Sequence, residues 1–513
     1  MPVRRSGLEN DVKTMLEVHG MKIYWALAVF ACIVLGAASV LMGSLNQDEG
    51  WYLYAANLVA EGRMPYRDFF YTQGPFLPMV YSAFTGVWKT WGLLGARVFN
   101  LMVGLSGVVL AVALARRLAP EGRKSAAALI AFLLLASNLY HLYYLAIPKT
   151  YALAGLFVAA GFYLLAVASS RTGVSGALVA CASGLLLAFA SGTRISLGAL
   201  LAVVGLWLLM SGRWALLAGF CVGGFGGLAF VYGRFVIDPE AFHGLLAAQK
   251  YHAARGGFDP VWTVGSLSRL VRWYLPLFVT LGLAVANGIA GVVPRRVWLP
   301  CMAFMAVFGI QMLAPFPYED YQVPVMCLLA ASSAAGIVYD RPAAAPAGGV
   351  GTRLLAVLGM CFACSFGSPL LEKWTTNGQD RFWSIKKDST ELAQLREVAK
   401  TIESIDPGGT TILTQDLYIA IETGRKVPEG LEMGPFAMMD DENWRKLLTE
   451  APSTCGVAAL SGYTFAVDPP VCGERPIESQ LEYWGIVKRG YKLVERVENF
   501  GQNATPLLVL KKR

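Results

Sequence analysis

Charge is what this sequence has least of. Only 15% of its 513 residues are Asp, Glu, Lys or Arg, whereas a soluble domain carries about a quarter, so a soluble enzyme of this length is excluded. Histidine is scarcer still, with four residues, and His19, His141 and His243 have no neighbours that suggest ligation. Neither zinc-ligand spacing nor a glycine-rich phosphate loop occurs, so nothing points to a dedicated metal centre or to a P-loop. No cleaved signal is expected either: the first apolar run is too long for one and follows about 20 polar residues. No cytoplasmic loop is long enough to bind a nucleotide sugar.

What the sequence has is apolar length. Hydrophobic residues make up 55% of the chain and the mean hydropathy is +0.50, the composition of a polytopic, mainly α membrane protein. A spanning helix needs about 20 predominantly apolar residues. Runs of that kind lie at 21–44, 93–118, 124–139, 147–169, 174–190, 195–210, 214–237, 270–293, 297–314, 323–339 and 353–371, about eleven helices. The expected division is a short N-terminal segment, 1–20, a membrane domain, 21–371, whose first long loop is 45–92, and a terminal part, 372–513, of soluble composition.

Arg and Lys set the expected orientation. Arg4, Arg5, Lys13 and Lys22 precede the first helix, and Arg116, Arg117, Arg123, Lys124, Arg171, Arg213, Arg295, Arg296 and Arg341 fall on alternate loops. Those loops are predicted inside, in the cytoplasmic (inner) membrane's cytoplasmic face, with the 45–92 loop and the terminal part outside. The formal net charge of +8 is largely this bias and gives no reason to expect nucleic acid.

Seven of the nine cysteines lie in apolar stretches, where a thiol behaves as a small hydrophobe, Cys361-x-x-Cys364 included. Cys455 and Cys472 lie in the soluble part, and a disulfide between them is expected, worth about 3 kcal/mol for a loop of that size. That part reads as a small α/β domain: helices at 390–404, 417–423 and 477–488, and strands at 410–414, 457–460, 492–497 and 507–510.

The chemistry-bearing residues gather in the outer loops. Directly after the first apolar run comes "NQDEGWYLYAANLVAEGRMPYRDFFYTQGP", with Asp48 and Glu49 beside Tyr52, Tyr66, Arg67, Asp68 and Gln73. Two later loops supply Lys250, His252 and Arg255, and Tyr318, Glu319, Asp320 and Tyr321, while Lys149 and Arg194 end spans. Cations from separate segments around one carboxylate suit a phosphate-bearing lipid. Plainer readings stand beside this one. Asn46 and Glu49 form a capping-box pattern, Asp48 then favouring the helix dipole. The tyrosines suit interface anchors, Lys149 and Arg194 suit snorkelling cations, and His252 suits an ordinary loop histidine.

The acidic pair after a first membrane helix, the Tyr and Pro positions behind it and a span ending in "ARRL" resemble the GT-C superfamily of integral-membrane glycosyltransferases. The resemblance is nearest to glycosyltransferase family 39 and its bacterial relatives, the protein O-mannosyltransferases, lipid A aminoarabinose transferases and galacturonosyltransferases. It covers about the first 340 residues in layout. It implies an inverting hexosyl- or pentosyltransferase that uses a polyprenyl-phosphate sugar and a glycolipid, polysaccharide or protein acceptor. Asp48 would be the general base and Glu49 its supporting neighbour. Lys149, Arg194, Arg67, Lys250, His252 and Arg255 are the candidate phosphate ligands, and Tyr52, Tyr66, Asp68, Gln73, Tyr318 and Glu319 the candidate lining. Aminoarabinose transferases carry a lysine where Gln73 stands. No cofactor is required, although Glu319 and Asp320 leave room for a divalent cation. The competing readings are a lipid-linked sugar transporter or flippase, which would keep ionisable groups near the midplane, and a non-catalytic envelope-glycan assembly protein.

Overall fold

The computed structural model describes residues 5–254, 258–314, 317–339, 354–361, 389–433, 454–462, 490–501 and 505–513. Among the described residues five helices are long and apolar enough to cross a membrane: Met21–Met42, Phe76–Leu118, Thr150–Ala168, Gly173–Thr193 and Trp214–Ile237. Two bent pairs raise this to as many as seven. The chain is a multi-pass membrane protein.

Close packing in the bundle relies on small residues. A Cβ at Gly223 would overlap the Cys181 carbonyl, and one at Gly184 the Phe220 carbonyl, so Gly173–Thr193 and Trp214–Ile237 meet backbone to backbone. That is the usual way membrane helices associate where lipid offers no hydrophobic drive.

Two stretches expected as unbroken spans are bent instead. Residues 124–139 end at Ala136, and Leu139–Ala146 follows at 68°. Asn138 causes this break: its side chain caps the second helix by accepting from the His141 amide at 3.1 Å. Its Nδ2 donates to the Trp273 carbonyl at 2.9 Å, and Trp273 is where the other bent pair turns by 85°, between Pro260–Trp273 and Leu275–Ile289. There Pro276 lies in the first turn of the new helix, where a missing N–H costs nothing. Tyr140 stacks on Trp273, with ring centroids 5.1 Å apart, so the two bends lock each other.

The first loop opens with helix Gln47–Ala60, started by a complete capping box of Asn46 and Glu49. Its aromatic face is not spread over a surface. Trp51, Tyr52, Leu53 and Tyr54 are buried, because the terminal part covers them. A Cβ at Gly50 would overlap the Tyr418 backbone, and the Val427 amide donates to Tyr54 Oη at 3.0 Å. Helix Thr85–Leu118 kinks at Gly92, whose φ of 62° is a left-handed value that glycine adopts without strain.

In the terminal part, helices Glu391–Ile405 and Leu417–Thr423 form as expected. Strands β1 (Val457–Ser461), β2 (Tyr491–Phe500) and β3 (Thr505–Lys512) make an antiparallel sheet in the order β1-β3-β2. The expected strand at 410–414 makes only isolated bridges, Thr411 to Lys426 and Leu413 to Ala458. The 477–488 helix lies outside the described residues.

Candidate functional site

The exit of the first span is fixed by one ion pair. Arg97, on the kinked helix, donates through Nε and a terminal nitrogen to both Glu49 oxygens at 2.7 Å. Its remaining N–H groups reach the carbonyls of Val40, Gly43 and Ser44 at 3.2, 2.9 and 2.9 Å. Both side chains are 0% exposed. Planar, bidentate geometry of this kind is what guanidinium does best. Glu49 also accepts from the Asn46 amide at 2.9 Å. Every oxygen of Glu49 is therefore engaged, which makes it the fastener of the turn that presents Asp48.

Asp48, one residue earlier on the same turn, has a side chain 26% exposed. Its Oδ2 lies 2.7 Å from Lys149 Nζ. Pro148 disfavours helix at Ile147, so Leu139–Ala146 stops and Lys149 stands extended just before Thr150–Ala168. The positive end of that helix adds to the ammonium there. Lys149 also lies 3.3 Å from Asp320 Oδ2, an oxygen that accepts from Tyr151 Oη at 2.9 Å. Burial by itself pulls the Lys149 pKa down, but Asp48, Tyr151 and Asp320 raise it well above the ordinary lysine value, so the lysine is a cation.

Arg194 completes the cluster from the C-terminal end of Gly173–Thr193. Its guanidinium lies over the rings of Tyr151 and Tyr321, at 5.0 and 4.8 Å, and donates to Thr150 Oγ1 at 3.1 Å. The residue is 7% exposed, its Nε has no hydrogen-bond partner, and no carboxylate among the described residues pairs with it. A buried cation in that state is suited to an anion from outside the chain. Tyr52 faces the same group: burial raises its pKa, Asp48 adds to the rise, and Arg194 and Lys149 oppose it. The Tyr321 phenol is pushed up to about 12 by burial first and by Asp320 second.

The structure thus brings together Asp48, Lys149, Arg194 and Tyr52 of the expected set. Others are elsewhere. Arg67 is spent on Asp68 at 2.8 Å and Asp238 at 3.2 Å, at the surface, and Arg67 lowers the Asp68 pKa. Tyr66 adopts a φ of 70°, donates to the Gln73 carbonyl and packs edge-on to Phe235, so the backbone of Gln73 rather than its amide is held there. Tyr318 packs on Trp262 and Tyr321. Glu319 turns away to Arg269, at 3.0 Å, and burial raises its pKa. Lys250 is exposed and has no ion pair among the described residues. The side chain of His252, Arg255, and Cys472 with its pairing to buried Cys455, lie outside the described residues.

Two participants went unmarked in the sequence reading: Tyr151, which donates to the Asp320 carboxylate, and Arg97, which fastens Glu49. Asp320 was read only as room for a cation beside Glu319, and it is Asp320 that faces Lys149. Tyr151 stands at a span start, where pattern cannot tell inward from outward. The terminal part contributes as well: Ser44 Oγ and the Leu45 amide donate to Glu391, at 3.0 and 2.8 Å, and Gln47 donates to buried Asp416. Burial raises the Asp416 pKa against hydrogen bonds from Gln47, Ser461 and Tyr418.

No family model matches the chain, and no curated protein matches it. Among solved structures it is similar to ArnT from Cupriavidus metallidurans in the apo state, at 14% identity and a TM-score of 0.64, over 95% of this chain and 98% of that one. The same protein bound to undecaprenyl phosphate gives 14% identity and a TM-score of 0.62, over 95% and 97%. The archaeal oligosaccharyltransferase AglB from Archaeoglobus fulgidus, in complex with an inhibitory peptide and a dolichol-phosphate, is similar at 11% identity and a TM-score of 0.48, over 86% and 70%. ArnT is a lipid A aminoarabinose transferase, and these neighbours are GT-C superfamily members. The likeness in fold to ArnT covers 95% of this chain and so reaches beyond the first 340 residues.

Proposed function

We propose that the chain is an integral-membrane glycosyltransferase that moves a hexose or pentose from a polyprenyl-phosphate carrier to a hydroxyl of a glycolipid, polysaccharide or protein, with inversion. The observation that carries this reading is buried Arg194, without a carboxylate partner among the described residues and with its Nε unpartnered, in one cluster with Lys149 and Asp48. ArnT, whose fold the chain shares, has been seen bound to undecaprenyl phosphate, which agrees with it.

In the proposed reaction Asp48 takes the proton of the acceptor hydroxyl, and the oxygen attacks the anomeric carbon. The bond from that carbon to the phosphate oxygen breaks, and its electron pair leaves on the phosphate. Arg194 and Lys149 neutralise the charge that develops there, the kind of preorganised stabilisation that usually contributes most to catalysis. Asp48 then loses its proton to water. Glu49 keeps the presenting turn in place without touching substrate. The orientation is the one the basic loops favour, in the inner membrane, with the N-terminus and basic loops inside, about eleven crossings, and the 372–513 part outside above the site.

The test compares total membrane glycolipids and polyprenyl-phosphate sugars, by mass spectrometry, between wild type and an Asp48→Asn strain at equal protein levels. One polyprenyl-phosphate sugar should accumulate while one glycan loses that sugar, which names both substrates. Unchanged pools would leave Asp48 as a first-turn acid that favours the helix dipole only and remove the transferase reading.

A further inference from the structure

Lys149 is shared between two carboxylates, and in this state it sits closer to the proposed base. Its Nζ is 2.7 Å from Asp48 and 3.3 Å from Asp320. On the transferase reading above, Asp48 must accept a proton, yet a proton arriving at Oδ2 would meet an ammonium at hydrogen-bond distance. The ammonium takes one of the two oxygens of the base. Asp320 is the alternative seat: it is 7% exposed, held by Tyr151 at 2.9 Å, and already within ion-pair reach of the same nitrogen. The rings of Tyr144 and Tyr151 flank the ammonium at 5.5 and 5.1 Å, which leaves the two carboxylates as its ion-pair partners among the described residues.

The charges decide what would move it. Lys149 and Arg194 against Asp48 and Asp320 sum to zero, with Arg194 lacking a carboxylate of its own among the described residues. A sugar phosphodiester beside Arg194 adds a negative charge, and it competes with Asp48 for Lys149.

We propose that Asp320 is a positioning residue that receives Lys149 when the donor phosphate binds, so that Oδ2 of Asp48 is freed as the proton acceptor in the donor-bound enzyme. This rests on the transferase reading and adds an order to it: donor first, acceptor deprotonation second. The proton then passes from acceptor to Asp48 while the leaving phosphate gains one negative charge, so the charge of the whole site is unchanged by the step.

The first test is an experimental structure of the intact protein with undecaprenyl phosphate bound. Lys149 Nζ should have left hydrogen-bond reach of Asp48 and should contact Asp320 and the phosphate. A phosphate seated at Arg194 with Lys149 still on Asp48 overturns the proposal. The second test is Asp320→Asn. With one negative charge fewer, undecaprenyl phosphate binding by native mass spectrometry should be unchanged or tighter. Transfer in the cell, read from the accumulating polyprenyl-phosphate sugar, should fall by about tenfold or more, within the range a general base supplies. Asp320→Glu should restore much of it. Loss of binding and transfer together would make Asp320 merely structural and sink the proposal, and if the variant does not fold, the bound structure still decides. Failure here is separable from failure of the transferase reading: the latter shows as unchanged lipid-linked sugars in Asp48→Asn.

Discussion

Asp48 and Glu49 are adjacent acids that should fail in opposite ways when neutralised. Glu49 and Arg97 are both 0% exposed, and the pair shares two contacts of 2.7 Å. Removing one member of such a pair strands the other charge, at a cost of about 3–5 kcal/mol. Arg97 also holds three carbonyls at the end of the first span, so Arg97→Met should lie at the upper end of that range. Even about 3 kcal/mol changes the folded ratio by roughly a hundredfold. The Glu49→Gln/Arg97→Met double variant should regain about 1–3 kcal/mol relative to the sum of the singles, as coupled neighbours do. Asp48→Asn is the contrast. Its side chain is 26% exposed, and Asn46 rather than Asp48 caps the helix, so the loss should stay within about 1 kcal/mol. The assay is denaturant unfolding of purified protein in mild detergent, followed by near-ultraviolet dichroism, alongside the cellular glycolipid readout. The expected pattern is Glu49→Gln unstable and Asp48→Asn stable but inactive. A Glu49→Gln protein within about 0.5 kcal/mol of wild type, the scatter of an ordinary surface change, would refute the clamp.

Arg194→Gln should weaken undecaprenyl phosphate binding by about tenfold or more, the worth of a charge-assisted contact, whereas Arg67→Gln should leave it unchanged because Arg67 is committed to Asp68 and Asp238; native mass spectrometry of both variants compares them. Gly92→Ala combines a positive φ of 62° with a Cβ that would overlap Glu422, and should cost about 1–3 kcal/mol, read as a lowered melting temperature. Asp416 has a raised folded pKa, so between the ordinary carboxylate value and that raised value the folded chain holds the extra proton. Stability should therefore fall as pH rises through that window, and Asp416→Asn should flatten the change in melting temperature as pH rises above the ordinary carboxylate value.

Much of the membrane architecture was legible because it rests on local quantities. Apolar length marks a crossing wherever it occurs, and the Asn46 and Glu49 spacing marks a helix start whatever packs on it. The bends at Asn138 and Tyr274 were not legible. An asparagine and a tyrosine inside apolar runs become breaks only when Asn138 finds the Trp273 carbonyl across the bundle. Arg97 likewise resembles any cation near a helix end until Glu49 is placed against it.

The sequence by itself determined that this is a polytopic membrane protein and that its carboxylates and cations cluster in loops after the spans, since composition and span ends are properties of the chain alone. Only the tertiary structure decided which of them meet. It chose Asp320 over Glu319 and Arg194 over Arg67, and it gave the supporting neighbour Glu49 its partner, Arg97. Those choices depend on which side chains from distant segments arrive at one buried point, where each charge must find a partner or remain available for a ligand, and no spacing along the chain encodes that meeting.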